Sequence, residues 1–313
     1  MNTELQKKAL DIVILVRAIA VTAVVGGHLS LFSYGGGGAF ILMLLAGFTY
    51  SGYLLPKLHQ RVVANERQSM LMLKIALPTA LYLLLQQGVS DAPMNWAAVA
   101  FYSNLISPTT HAAWFIEVYL QINVMLFLLA QNSWCARQLA RLQDFFPAAV
   151  FFVLTVAVAY LSSMVWDTNA LWNRVPTRMF WMFAGGILLG ASKTTLQRLI
   201  FGVLVVAATF VVGDELPFFL VAIVVLAVVR SVPLPAPAAK MIIAVAGASL
   251  LIYLTHFQWS DLLSHFWPNA PITLKVVAGL AGGVLLQYVY NYIWKIFRRR
   301  IAAWGSKAKS SAH

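Results

Sequence analysis

Long apolar runs recur along almost the whole chain, and they restrict the fold more than any other feature. Each run has roughly 15 to 25 residues, about the length that an α-helix needs to cross a bilayer. Ten such spans are predicted, at residues 10–31, 39–55, 70–87, 112–130, 145–164, 176–191, 199–212, 216–229, 241–259 and 272–297. Only 10% of the residues are charged, against about a quarter in soluble domains. The sequence therefore predicts an all-α, polytopic membrane protein with one transmembrane domain, residues 1–297, and a basic cytosolic tail, residues 298–313.

Two segments leave the span count open. The seventh and eighth runs are short and are separated only by the residues GDE at positions 213–215, so a re-entrant pair is an alternative there. Residues 95–106 are too polar and too short for a span, and they are predicted to lie at the membrane interface.

The positive charges are distributed unevenly between the predicted loops. If the N-terminus is cytosolic, eighteen of the 22 Lys and Arg residues fall on the cytosolic side and three on the other side, while Arg17 lies within the first span. Cytosolic loops of membrane proteins are rich in Lys and Arg. This distribution favours ten spans in a cell membrane (inner or plasma), with both termini in the cytosol. It also accounts for the net charge of +12 without a nucleic-acid partner.

The first span carries two polar side chains, Arg17 and His28, inside an otherwise apolar helix. Eleven residues separate them, which is close to three helical turns and about 16 Å, so both side chains lie on one face. A charge inside the bilayer is costly unless it faces protein or water, so it indicates a functional site. The alternative is that Arg17 snorkels to the interface and His28 caps the helix end.

Five short motifs occur in the order of one known family. They are the R-x10-H spacing from Arg17 to His28, GAFILMLLAGF at 38–48, WFIEVYLQI at 114–122, MFWMFAGGILLG at 179–190 and SLLIYLTHF at 249–257. Together they resemble the motifs of the acyltransferase-3 family of integral membrane proteins. The chain departs from the family pattern at Asp11, which lies six residues before Arg17 rather than about three, and at Ala46, where the family has serine.

The resemblance implies transfer of an acyl group, with acetyl the expected one, from cytosolic acyl-CoA to a hydroxyl of a carbohydrate, a lipid-linked glycan or a small molecule at the outer face. A hydroxyl must lose its proton to attack a thioester, and a neutral imidazole near pH 7 suits that task. His28 is therefore the candidate base, and Arg17 is a candidate to hold the donor. The spacing of the remaining histidines gives no argument for a metal site.

The fourth span carries three polar or amphipathic side chains on one face, Trp114, Glu117 and Gln121. Glu117 is a candidate to orient a protonated imidazole, to bind an acceptor hydroxyl or to pair with Arg17 or Arg178; a structural ion pair is the alternative. Tyr253 and His256 lie three residues apart in the ninth span and are candidates for a second polar contact at the same site. Membership of an interfacial aromatic belt is equally compatible with them.

Further cations are candidates for binding the acyl-CoA donor or the acceptor. Arg67 and Lys74 stand where the resemblance places a basic pair, and with Arg137 and Arg141 they could hold the phosphates of coenzyme A. Outside, Arg174 and Arg178 lie among tryptophans, a combination that suits a sugar. The competing interpretation of the cytosolic cations is that they only orient the protein by the positive-inside rule. The competing interpretation of the outer group is that its tryptophans are ordinary interface anchors.

Two other functions fit the same sequence. A transporter or exporter could use Arg17, Glu117 and His28 as a polar relay, although no internal repeat is evident. A third hypothesis is a membrane sensor or assembly partner that has no catalytic activity. The sequence identifies neither the acceptor nor the oligomeric state, and a homo-oligomer is left open.

Overall fold

A computed structural model of the chain describes residues 7–32, 37–89, 93–107, 113–165, 174–213 and 217–310; at 7, 8 and 297–310 it describes the backbone alone. The elements, in chain order, are β1 (Lys7–Asp11), α1 (Ile12–His28), α2 (Gly37–Tyr53), α3 (Arg61–Gly88), α4 (Trp96–Val99), α5 (Ser103–Ile106), α6 (Trp114–Gln131), α7 (Ser133–Ala140), α8 (Phe145–Val165), α9 (Pro176–Ala191), α10 (Thr195–Val212), α11 (Pro217–Val228), β2 (Ser231–Pro235), α12 (Ala236–Gly247), α13 (Ser249–Phe266) and α14 (Ile272–Ser310). Single 3₁₀ turns lie at Leu55–Lys57 and Arg141–Gln143. The predicted all-α class is confirmed.

Six of the described helices are long and apolar enough to cross a membrane, and the bent pair α12–α13 would make a seventh. Many large apolar side chains on these helices are exposed, including Leu85, Val165 and Val203. Soluble proteins rarely expose so much apolar surface, so this surface faces lipid. The helices α1 and α11 are shorter, at 17 and 12 residues. The count of ten spans and the cytosolic termini therefore remain predictions.

The structure differs from the predicted ninth span, residues 241–259, which it divides into two helices. α12 and α13 meet at an angle of 83°. The break lies at Ala248, whose N–H donates to the carbonyls of Ala244 and Val245, and it follows Gly247, a weak helix former. After the bend, α13 continues to Phe266 and packs against α1 and α14.

Two further elements lie outside the sequence prediction. The strands β1 and β2 pair antiparallel, with Lys7 opposite Pro235 and Asp11 opposite Ser231, and they tie the start of α1 to the segment before α12. The helix α14 continues through the predicted basic tail to Ser310, while residues 311–313 lie outside the described part of the chain. The segment 95–106 forms the two short helices α4 and α5, consistent with its prediction as a non-spanning segment.

The helices α2 and α9 pack backbone against backbone at the centre of the bundle. A Cβ atom on Gly47 would overlap the carbonyl of Phe183, and one on Gly186 would overlap the carbonyl of Leu44. The contact therefore requires glycine at both positions. The GAFILMLLAGF and MFWMFAGGILLG motifs thus form one interface, which supports the wall of the cavity described below.

Candidate active site

Two histidines from opposite ends of the chain meet at the end of α1. The Nδ1 atom of His28, the last residue of α1, lies 2.9 Å from Nε2 of His256 on α13. The planes of the two imidazoles are inclined by 22° with centroids 5.0 Å apart, and the ring of Phe257 lies nearly parallel to that of His28, at 13°, with centroids 5.4 Å apart. His256 is fully buried, whereas His28 is exposed. The structure therefore presents the imidazole of His28 at the surface and supports it from behind with His256.

The Nδ1 side of the His256 ring faces the backbone of its own helix. Its Nδ1 atom lies 3.1 Å from the carbonyl oxygen of Ile252 and 2.9 Å from that of Tyr253. On the other side, α14 approaches closely at Gly279, where a Cβ atom would lie 3.1 Å from Cβ of His256. The ring is therefore held between two helices.

An arginine and two aromatic residues lie beside the histidine pair. The guanidinium of Arg174 lies over the ring of Trp114, 4.9 Å from its centroid. Arg174 is close enough to interact electrostatically with both His28 and Tyr253. The ring centroids of Tyr253 and Phe115 lie 5.6 Å apart. The structure thus brings together His28, His256, Tyr253, Arg174 and Trp114, all five of which the sequence singles out.

The two polar residues further along α6 hold the short helix α5. The buried carboxylate of Glu117 accepts hydrogen bonds from the hydroxyl of Ser103, at 2.8 and 3.1 Å, and from the backbone N–H of Asn104, at 3.3 Å. Gln121 exchanges amide hydrogen bonds with Asn104 and donates to the carbonyl of Phe101. Asn104 in turn donates to the carbonyl of Arg174 at 2.9 Å. This network therefore fixes the segment that carries Arg174.

Arg17 lies in the wall between two cavities. Its guanidinium donates to the hydroxyl of Thr49 at 2.8 Å and to the carbonyl of Leu45 at 3.4 Å. Both Arg17 and Thr49 line an inner cavity of about 200 Å³ and a second cavity of about 330 Å³ that Asp11 also lines. The inner cavity reaches Tyr253, one helical turn before His256. The cation therefore shares a cavity with Tyr253, which lies on the same helix as His256.

Of the hydroxyl-bearing side chains of the inner cavity, sequence reasoning singled out Tyr253 and missed Thr49, Tyr50 and Tyr119. Tyr50 and Tyr253 are buried, at 2% and 3% exposed, and both line the inner cavity. Thr49 and Tyr119 line the same cavity. Adjacent polar residues in the apolar second span, Thr49 and Tyr50, were the available signal. A hydroxyl can both donate and accept hydrogen bonds, so this mainly apolar cavity suits a ligand that carries some polar groups.

The other predicted cations occupy different places. The guanidinium of Arg67 lies over the ring of Tyr53, which lines the inner cavity. Lys74 is exposed, and its backbone carbonyl accepts a hydrogen bond from the hydroxyl of Tyr290. Arg137 and Arg141 are exposed around the end of α7. Arg178 is buried, and it donates to the carbonyls of Ala159 and Val212. Arg67 is therefore the cation of this set that lies beside the cavity.

Comparison with protein-family models, with curated proteins and with solved structures finds no match for this chain. Within the residues that the structure describes, no group of three or more His, Cys, Asp or Glu side chains could hold a metal ion. The chemistry of the site must therefore be argued from its own residues.

Proposed function

We propose that the protein is an integral membrane acyltransferase of the acyltransferase-3 type. It transfers an acyl group, with acetyl the expected one, from cytosolic acyl-CoA to a hydroxyl of a carbohydrate, lipid-linked glycan or small-molecule acceptor. The reaction takes place at the outer face of the inner or plasma membrane. The observation that carries this proposal is the contact between His28 and His256, which lies one helical turn from Tyr253 in the wall of the cavity that Arg17 lines.

The proposed reaction needs one base, and His28 has the geometry for it. The exposed imidazole takes the proton of the acceptor hydroxyl as the oxygen attacks the thioester carbonyl carbon. The tetrahedral intermediate then breaks its C–S bond. The thiolate of coenzyme A leaves and takes the proton back from the imidazolium of His28. The products are an ester and coenzyme A with a free thiol, and the base is regenerated.

The cavity supports entry of the donor from the side opposite His28. The nucleotide of acyl-CoA would bind outside the bundle near Arg67, and its long arm would extend past Arg17 and Thr49 towards Tyr253. The guanidinium of Arg17 suits an amide or phosphate oxygen of that arm. About 16 Å of helix separates Arg17 from His28, so Arg17 binds the donor and does not contact the reacting carbonyl.

The residues around Arg174 suit the acceptor and the developing negative charge. Trp114 offers an aromatic face of the kind that packs on sugars, and the guanidinium over it donates hydrogen bonds. Arg174 also interacts electrostatically with His28, so it is placed to stabilise the oxyanion of the intermediate. Glu117 and Gln121 support this arrangement through α5.

Transfer of label from acetyl-CoA by the purified protein tests the proposal. The wild type is expected to label a hydroxyl acceptor from a mixture of sugars and membrane glycans. His28→Ala should lower the rate by about 100-fold or more, because a general base contributes about 10²–10⁴-fold. The matched control is His265→Ala, since His265 is an exposed histidine near the end of α13.

Equal rates in the wild type and His28→Ala would refute the assignment of the base. Transport of a solute without acyl-CoA, with Arg17, Glu117 and His28 all essential, would instead support the transporter. A cellular phenotype that survives in the double variant His28→Ala, Glu117→Ala would support a sensor or assembly partner.

A further inference from the structure

We propose that His256 is a positioning residue that fixes the tautomer of His28, so that the lone pair of His28 lies on Nε2, the ring nitrogen that does not contact His256. The chain of hydrogen bonds runs from the backbone of α13 through His256 to His28. The assignment of the tautomer follows from the geometry alone, and its consequence for the rate rests on the proposed acyltransferase function.

The first step is the protonation of Nδ1 of His256. This atom faces two carbonyl oxygens, those of Ile252 at 3.1 Å and Tyr253 at 2.9 Å. A carbonyl oxygen can only accept a hydrogen bond. Nδ1 of His256 must therefore carry the hydrogen and donate it, as a bond shared between the two oxygens.

The second step concerns the other nitrogen of the same ring. A neutral imidazole has one N–H and one lone pair, so Nε2 of His256 is an acceptor once Nδ1 carries the hydrogen. Nε2 lies 2.9 Å from Nδ1 of His28. Nδ1 of His28 must then be the donor in this contact, which leaves the lone pair of His28 on Nε2.

The alternative is a charged His256 that donates from both nitrogens. His256 is fully buried, and Arg174 already places a positive charge near the pair. The described contacts of the ring are with His28, Phe257 and the two carbonyl groups. None of these is an anion, and a buried cation without an anionic partner is costly. The neutral form of His256 is therefore favoured.

The consequence for catalysis is twofold. With the lone pair on Nε2, the basic nitrogen of His28 is the one that His256 does not occupy. When Nε2 takes a proton, the Nδ1–H of the new imidazolium remains bonded to His256, and a hydrogen bond from a charged donor is stronger than one from a neutral donor. Loss of this bond should lower kcat by about 10- to 100-fold.

The tautomer can be read directly by NMR of the full chain labelled with ¹⁵N-histidine in detergent micelles. Only six histidines are present, and the spectrum of His28→Ala assigns the signals of His28. In the wild type we expect His28 to carry its hydrogen on Nδ1 and to have an unprotonated Nε2. A wild-type His28 that carries its hydrogen on Nε2 would overturn the proposal.

Two variants of His256 distinguish its hydrogen bond to His28 from its role in packing. In His256→Ala, the signals of His28 should change to a mixture of tautomers, and kcat for acetyl transfer should fall by about 10- to 100-fold while KM for acetyl-CoA changes less than about twofold. In His256→Gln, the amide oxygen replaces Nε2 as the acceptor, so the tautomer and most of kcat should be retained. An unchanged tautomer in His256→Ala, or equal kcat losses in both variants, would also overturn the proposal.

The two proposals fail differently. If the wild type shows the expected tautomer but transfers no acyl group, the assignment of the tautomer stands and the enzymatic function fails. If transfer requires His28 but His256→Ala is as fast as the wild type, the function stands and the positioning by His256 fails. His256→Gln and the wild-type spectrum keep the test decisive if His256→Ala does not fold.

Discussion

Arg17 is the residue whose place in the bundle bears most directly on the proposed donor. Its guanidinium bonds Thr49 and lines both the inner cavity and the cavity next to Asp11. A cation in this position has protein and cavity around it rather than lipid, which is the arrangement expected of a functional charge within a membrane. The same contact also explains why Thr49, in the middle of an apolar helix, is polar.

Arg17→Ala should weaken binding of acetyl-CoA about 10- to 100-fold, because hydrogen bonds from a charged group to the donor would be lost. Thr49→Val should weaken binding less, since it removes only the group that orients the guanidinium. Binding isotherms of the purified variants measure both effects. The control is Lys240→Ala, which removes an exposed cation of α12. Unchanged affinity in Arg17→Ala would exclude Arg17 from donor binding.

Much of the candidate site could be predicted one residue at a time, because a charge or imidazole in an apolar span is conspicuous. Helical spacing places residues on the same face of one helix, as for Trp114, Glu117 and Gln121. It cannot reveal that His28 contacts a residue 228 positions away, since that contact depends on how α1 and α13 pack. For the same reason, the position of Tyr50 in the wall of the cavity gave no signal beyond the polarity of its hydroxyl.

At the scale of elements, the interface between α2 and α9 sets how closely the central helices approach. Gly47 and Gly186 permit contact between the two backbones, and the side chains around them, such as Phe183, are fully buried. Sequence predicted both helices but not their pairing. The bend at Ala248 was also missed, because hydropathy continues without a break across residues 241–259.

Gly47→Ala should lower the melting temperature by several degrees or prevent folding, because the added methyl group would meet the carbonyl of Phe183 and force the helices apart. Gly52→Ala in the same helix is the matched control, as nothing lies within 4 Å of a Cβ atom there. The control should retain or slightly raise stability. Thermal unfolding in a single detergent compares the two, and equal melting temperatures would contradict this packing.

The whole molecule is predicted to have the end of α1 at the outer face and the Arg67 side in the cytosol. The single cysteine of the chain, Cys135 on α7, provides a natural probe of this orientation. It lies two residues before Arg137, in a loop region that the distribution of charges assigns to the cytosol.

A membrane-impermeant maleimide should therefore label Cys135 in inside-out vesicles and not in intact cells. The variant Cys135→Ser, Asn269→Cys moves the thiol to the exposed connection between α13 and α14, and it should be labelled from the outside. Labelling of Cys135 in intact cells would reverse the predicted orientation. Labelling of both sites from one side would contradict the predicted span count between them.

The central claim for the whole molecule is that the cavity connects a cytosolic donor to an outer acceptor at His28. Vesicles containing the oriented protein test it most directly, with labelled acetyl-CoA confined to the cytosolic side and hydroxyl acceptors supplied only on the other. We predict that label crosses to the acceptor in the wild type and that His28→Ala abolishes this transfer. Two results would contradict the account. One is labelling of the acceptor only when donor and acceptor are on the same side of the membrane. The other is labelling at the same rate in the wild type and in His28→Ala.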